Sequence, residues 1–126
     1  KKLQINHLIL AVFFLFPIVF YSMEYNVLDY GAIGDGTTMN TLAIQKAMDA
    51  CSKTGGEVIF PAGKYLTGTI YFKNNVTIYL QKGAVILGST NLKDYPENLP
   101  EYQFYRKGKI KRSLFYAEKC ENIAIK

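Results

Sequence analysis

The chain has 126 residues and carries 15 Lys+Arg against 10 Asp+Glu, a formal net charge of +5. That length holds one domain at most. Two cysteines are too few for a disulfide framework, and the one histidine, His7, lies in an N-terminal leader, so the remainder has no histidine for catalysis or metal binding.

The leader comes first. Lys1 and Lys2 precede an almost uninterrupted apolar run from Leu8 to Phe20. The run is short for a membrane-spanning helix and suits the apolar core of a signal peptide. The cleavage signal is poor, because Tyr21-Ser22 offers one small residue and Phe20 is bulky. Residues 1–22 are therefore read as a signal peptide, with an uncleaved N-terminal anchor as the alternative. The expected location is periplasmic or extracellular, with membrane contact only through the leader if it is retained. The chain starts at Lys1 and stops within the alternating run "ENIAIK", so residues 23–126 read as the N-terminal part of a longer domain, truncated at its C-terminus.

After the leader, the apolar run "YNVL" reads as a strand, "GAIGDGTT" (31–38) as a loop and "NTLAIQKAMDAC" as a helix. Leu42, Ala43, Ala47, Met48, Ala50 and Cys51 recur at helical spacing and give the helix one apolar face. Thr38 or Asn40 is expected to cap its start through a side-chain oxygen, and Gly55 to end it in the left-handed conformation. Cys51 reads as a small buried hydrophobe, with a Cys51–Cys120 disulfide as the alternative in an oxidising compartment.

A Gly-rich loop between strand and helix suits a phosphate, since free N–H groups at a helix start attract anions. Gly31 and Gly36 have the right spacing, but Thr37 stands where a phosphate loop carries lysine, and Asp35 adds a negative charge. The dinucleotide fingerprint fails as well, its glycine order being G-x-x-G-x-G. No nucleotide and no other cofactor is expected. Gly31, Gly34, Asp35 and Gly36 read instead as a structural turn, its glycines permitting positive φ, that leads into the helix capped by Thr38 or Asn40.

Residues 56–90 change character. The β-rich runs Glu57–Phe60, Thr69–Phe72, Val76–Leu80 and Ala84–Leu87 are separated by Pro-Ala-Gly, Lys-Asn-Asn and Gln-Lys-Gly. No Asn-Gly or Asp-Gly hairpin turn lies between them. Val58-Ile-Phe and Val76-Thr-Ile-Tyr-Leu start 18 residues apart, and a repeat of about 20 residues with short strands points to a parallel β-helix. Val76, Ile78 and Leu80 would face inward, Thr77 and Tyr79 outward. One coil cannot cover its own stack, so the amphipathic helix is expected to cap the first coil. Asn75-Val76-Thr77 fits a glycosylation sequon but opens a strand.

Residues 91–113, "NLKDYPENLPEYQFYRKGKIKRS", form a long polar and aromatic excursion interrupted by Pro96 and Pro100. Excursions of this length are usually functional or disordered. Its basic run, 106–112, reads as a solvated loop or as a face toward an anionic substrate. Export disfavours nucleic acid. Strands resume at "LFYAEKC" and "NIAIK", about one coil further on once the excursion is removed.

"YNVLDYGAIGDGTTMNTLAIQKAMDACSKTGGEVIFPAGKYLTG" resembles the start of the pectate-lyase-like right-handed β-helix superfamily, and departs from it at Met39-Asn40, where two acids are usual. Such acids would contribute about 0.3–1 kcal/mol each at a helix start. "NVTIYLQKGAVILGSTNLKDYP" and "SLFYAEKCENIAI" resemble glycoside hydrolase family 28, the polygalacturonases. The resemblance implies a mainly β, right-handed parallel β-helix, here an incomplete solenoid of N-terminal coils with an N-terminal capping α-helix. It also implies inverting hydrolysis of a galacturonate-containing, pectic polysaccharide, so the expected partner is an anionic plant-type polysaccharide or oligosaccharide. The family's Asn-Thr-Asp, Asp-Asp, Gly-His-Gly and Arg-Ile-Lys motifs do not occur here. No catalytic residue is therefore expected within 1–126, and the fragment itself is expected to be inactive. Substrate contact is expected from the excursion: Arg106 first, since guanidinium pairs bidentately with carboxylates, then Lys107, Lys109 and Tyr105. A uronate lyase or epimerase on the same scaffold, and a non-catalytic glycan-binding β-helix, are the alternatives.

Overall fold

The computed structural model describes residues 21–98 and 111–126. Strands β1 (Glu24–Asn26), β2 (Asp35–Met39), β3 (Gly56–Phe60), β4 (Gly63–Thr67), β5 (Ile70–Tyr71), β6 (Val76–Leu80), β7 (Ala84–Gly88), β8 (Phe115–Tyr116) and β9 (Ala124–Ile125) accompany one α-helix, α1 (Thr41–Thr54). They form three sheets in the orders β1-β3-β6-β9, β2-β4-β7 and β5-β8. Every pairing is parallel. From β3 onward successive strands visit the three sheets in turn, which is the winding of a parallel β-helix; in the first turn α1 intervenes between β2 and β3 instead of a strand of the third sheet.

The register bears out a repeat of about 20 residues but corrects the alignment of Val58 with Val76. Val58 pairs with Ile78 and Gly56 with Val76, an offset of 20 residues. Matching the two valines misses the true partner of Val76, because Gly56 has no side chain to reveal a strand start. Two further strands were hidden. Gly63–Thr67 (β4) follows the Pro61-Ala62 corner and pairs with β7. Asp35–Met39 (β2), expected as loop, pairs with β4 through Asp35–Lys64 and Met39–Leu66. Conversely, "YNVL" is split: β1 ends at Asn26, and Val27–Tyr30 is a turn of 3₁₀ helix.

Inside the coils Val58, Phe60, Ile70, Val76 and Ile78 are fully buried, whereas Tyr79 is exposed. The corner between the Phe72 and Val76 strands repeats one device. Gly55, Asn75 and Asn122 all hold positive φ, at 74°, 61° and 55°. Asparagine tolerates this region because its short polar side chain bonds locally. Asn122 Nδ2 donates to Asn75 Oδ1 at 3.0 Å, and Glu121 N to Asn74 Oδ1 at 2.9 Å. The sequon asparagine is thus part of a turn ladder.

Helix α1 covers the first coil through Ala47, Met48 and Cys51 as expected, but with Ile44 in place of Leu42. Ile44, Ala47, Met48 and Cys51 are fully buried, while Leu42 is 78% exposed. The i, i+3, i+4, i+7 stripe begins at Ile44, and Leu42, two residues earlier, falls on the far side. Both cysteines are free thiols, and burial pushes that of Cys51 upward.

The helix flank does more than bury carbon. Tyr71 N donates to Gln45 Oε1 at 3.0 Å, and Gln45 Nε2 donates back to Tyr71 O at 3.1 Å. Ile70 N and Phe72 N point the other way, to Leu114 O and Tyr116 O, each at 2.8 Å. Alternate residues of a strand address opposite neighbours. The Gln45 amide therefore occupies the place of a strand beside β5, the first strand of its sheet. One turn earlier, Thr41 Oγ1 accepts from Gly68 N at 2.8 Å. Residues four apart share a helix face, so Thr41 and Gln45 together close this edge.

Candidate functional site

The expected turn and cap residues assemble into a self-contained knot. Asp35 Oδ1 accepts from Thr37 N and Thr38 N, both at 2.8 Å, and its Oδ2 from Thr38 Oγ1 at 2.7 Å. These bonds, those from Thr38 foremost, hold the Asp35 carboxyl well below its ordinary range. The amides a phosphate would need are taken by the chain's own carboxylate. Gly31 and Gly36 hold φ of 92° and 78°. Gly34 serves close approach: a Cβ there would stand 3.1 Å from Gly63 Cα and 3.3 Å from the Tyr65 ring.

The capping expectation is corrected. Asn40 is the N-cap residue of α1, but its side chain makes no cap bond. Instead its Oδ1 accepts from Ile33 N at 2.7 Å and its Nδ2 donates to Ile33 O and Thr38 O, each at 2.9 Å. Buried to 1% exposure, this amide spends both donors on carbonyls, which a carboxylate cannot do. Thr38 is not the cap either, since its hydroxyl serves Asp35. Gly55 ends the helix with positive φ but an extended ψ of 160°, outside the left-handed helical region.

Arg106, Lys107, Lys109 and Tyr105 lie outside the described residues. What the structure does show is the root from which the excursion springs. After β7, Asn91 caps a 3₁₀ turn, Leu92–Asp94, through Lys93 N. Ser89 Oγ bonds the Asp94 carboxylate, and Tyr95 Oη donates to Ser89 O at 2.8 Å. Thr69 then fastens both ends of the excursion at once. Its N–H donates to Asp94 O at 3.2 Å, and its Oγ1 to Ser113 O at 2.7 Å. Gly68 is required here, for a Cβ would fall 2.1 Å from Asp94 O. The outgoing and returning segments also join each other: Asn98 N donates to Lys111 O at 2.7 Å, and Glu97 pairs with Lys111 (3.4 Å) and Arg112 (3.1 Å). One carboxylate against two cations leaves this stem net positive.

The stem lies beside the β5–β8 sheet. Ile70 and Phe115 pair there, as do Tyr71 and Tyr116. Ile70 is fully buried, which turns the tyrosines of the same strands to the outer face, where both are half-buried. Their rings meet edge to face, centroids 5.7 Å apart. Tyr71 Oη donates to Asn98 Oδ1 at 3.1 Å, tying the sheet to the stem, and Tyr116 Oη to Glu118 Oε2 at 2.7 Å. The bond to Glu118 raises the Tyr116 phenol above its usual range. Among the described residues no group of His, Cys, Asp and Glu is arranged to hold a metal, and no helix is long and apolar enough to cross a membrane.

Sequence reasoning missed Thr69, Asn98, Tyr71 and Tyr116. The tyrosines had a signal, since strand alternation after Ile70 and Phe115 sends the next residue outward. Thr69 and Asn98 had none, because their partners are set by the fold.

Residues 25–121 match the sequence profile described as rhamnogalacturonase A/epimerase, pectate lyase-like. The chain belongs to this family. Its relatives include an exo-poly-alpha-D-galacturonosidase of Dickeya chrysanthemi, 49% identical over 79 residues, which cover 63% of this chain and 13% of the relative. Among solved structures, the family 28 exopolygalacturonase of Yersinia enterocolitica superposes with a TM-score of 0.74 at 41% identity, over 83% of this chain and 20% of that one. A mannuronan C5-epimerase of Azotobacter vinelandii is 43% identical over 65 residues, 44% of this chain and 5% of the relative. The chain thus spans a small part of the length of the relatives it matches. The pectate-lyase-like fold is the right-handed parallel β-helix, here with a single α-helix among the described residues.

Proposed function

We propose that this chain is part of an exported glycoside hydrolase that cleaves galacturonate-containing, pectic polysaccharide with inversion, its catalytic aspartates lying beyond residue 126. One observation carries the reading. The sequence match to the exo-poly-alpha-D-galacturonosidase extends over 63% of the chain, whereas that to the epimerase covers 44%. The shared opening of the β-helix is common to several chemistries; the breadth of the match favours the hydrolase. Inverting hydrolysis needs two carboxyl functions on opposite faces of the scissile bond, far enough apart to admit a water. The segment described here would act as the start of the substrate cleft, and by itself is expected to be inactive. Its leader is the basis for export.

The test is to express the chain together with the coding sequence that follows Lys126 and incubate it with polygalacturonate. New reducing ends, first appearing with inverted anomeric configuration by NMR, are expected. Unsaturated uronate ends would identify a lyase instead. Epimerised residues without shortening would identify an epimerase, and binding without any change in the polymer a glycan-binding module; each of these overturns the hydrolase.

A further inference from the structure

We propose that the outward pair Tyr71–Tyr116, with Asn98, is a carbohydrate subsite, and that its ligand is a uronate oligosaccharide lying along the β-helix axis. The inference rests on the pectic-polysaccharide reading above and gives it a place. Three observations converge on this face.

The first is the ring pair itself. Parallel pairing of β5 with β8 sets two tyrosines in register on adjacent coils, with ring centroids 5.7 Å apart. Neighbouring strands of a sheet repeat at about 4.8 Å, so the two rings follow each other along the β-helix axis, inclined at 64° so that one meets the other edge to face. Tyrosine offers an apolar body for the C–H face of a sugar and a polar tip for its hydroxyls.

The second is a donor without an acceptor. Asn98 takes the Tyr71 phenol on Oδ1, but its Nδ2 is buried and has no hydrogen-bond partner among the described residues. A buried donor left unpaired is costly, and such groups commonly mark the place of a water or ligand. A sugar hydroxyl or carboxylate oxygen is the acceptor this place lacks.

The third is charge. Next to Asn98, Glu97 neutralises only one of Lys111 and Arg112. The surplus positive charge suits a polyanion and gives a neutral galactan no advantage. At the other end of the pair Glu118 accepts from the Tyr116 phenol.

The experiment uses the full-length protein and tetragalacturonate, with neutral galactotetraose as control. Tyr71→Leu and Tyr116→Leu keep apolar bulk and remove the ring; Tyr116→Phe keeps the ring. Each Leu variant is expected to raise KM for the tetramer about five- to tenfold, the size of one lost aromatic contact, with kcat unchanged. Tyr116→Phe should stay within about twofold, and Asn98→Ala should weaken binding about threefold. Direct titration of an inactive preparation should show the same ranking and no uptake of the neutral tetramer. Unchanged affinity in Leu variants that melt like the parent overturns the subsite, even if the parent hydrolyses pectate. Equal binding of the neutral tetramer overturns it too. A parent that binds the uronate through these tyrosines yet releases no reducing ends would instead refute the hydrolase and leave the subsite standing.

Discussion

The two edges of this solenoid are built from the same kind of strand and finished in opposite ways. At the first edge, β5 meets the Gln45 amide in place of a neighbouring strand, and Gly68 N is met by Thr41. Ile44, Ala47 and Met48 seal the carbon beneath. At the other edge Phe72, Phe115, Ala117, Ile123 and Ala124 line an open apolar hollow, with Ile125 half exposed at its rim. A strand edge is a template for another strand. One edge of this molecule has been closed by side chains, whereas the other, among the described residues, leaves an apolar hollow.

The contrast can be broken most forcefully at the helix. Ile44→Ala in the full-length protein should cost about 2–5 kcal/mol, as expected for a fully buried aliphatic side chain, read as a lowered denaturation midpoint. Gly68→Ala should cost about 1–3 kcal/mol by overpacking against Asp94; it should also raise proteolytic nicking between Asn91 and Ser113, which Ile44→Ala should not do selectively. Gln45→Ala should cost about 1–3 kcal/mol by stranding the Tyr71 N–H and C=O and promote concentration-dependent association through the reopened edge. Gln45→Glu, which still accepts but no longer donates, should fall between.

Acid provides a milder probe. The Asp35 carboxyl sits below its ordinary value because Thr38 and Thr37 bond its charged form. A group depressed on folding contributes stability above its unfolded value, and the contribution is lost as pH falls. Stability should therefore decline as pH drops below about 4, and Asp35→Asn should flatten that decline because it already lacks the carboxylate's contribution at neutral pH, where it should be less stable than the parent. Leu42→Ser is expected to be the smallest effect, within about 0.5 kcal/mol, because the exposed leucine takes no part in the cap.

Much of this asymmetry was legible in the sequence, and the exceptions have physical causes. The β-rich runs of 56–90 announced short stacked strands, and Val76-Thr-Ile-Tyr-Leu showed which side faced in. The helix was plain, yet its buried stripe was misplaced by counting Leu42 and passing over Ile44, since either phase satisfies a loose helical count. Asn40 was read from its residue type as a cap. Its burial, which the sequence does not display, makes two donated bonds worth more than one cap bond. Gln45 carries no local mark at all: its role exists only once β5 lies alongside. The roots of the excursion were equally silent, because Thr69 is joined to Ser113 across 44 residues.

The closed edge is tested most directly by amide hydrogen exchange in the full-length protein. The Tyr71 amide should exchange as slowly as those of Ile70 and Phe72, whose bonds lie within the sheet. In Gln45→Ala it should become fast while Ile70 and Phe72 stay protected. Rapid exchange of Tyr71 in the unsubstituted protein, or protection that survives the loss of Gln45, would contradict a helix side chain standing in for a strand.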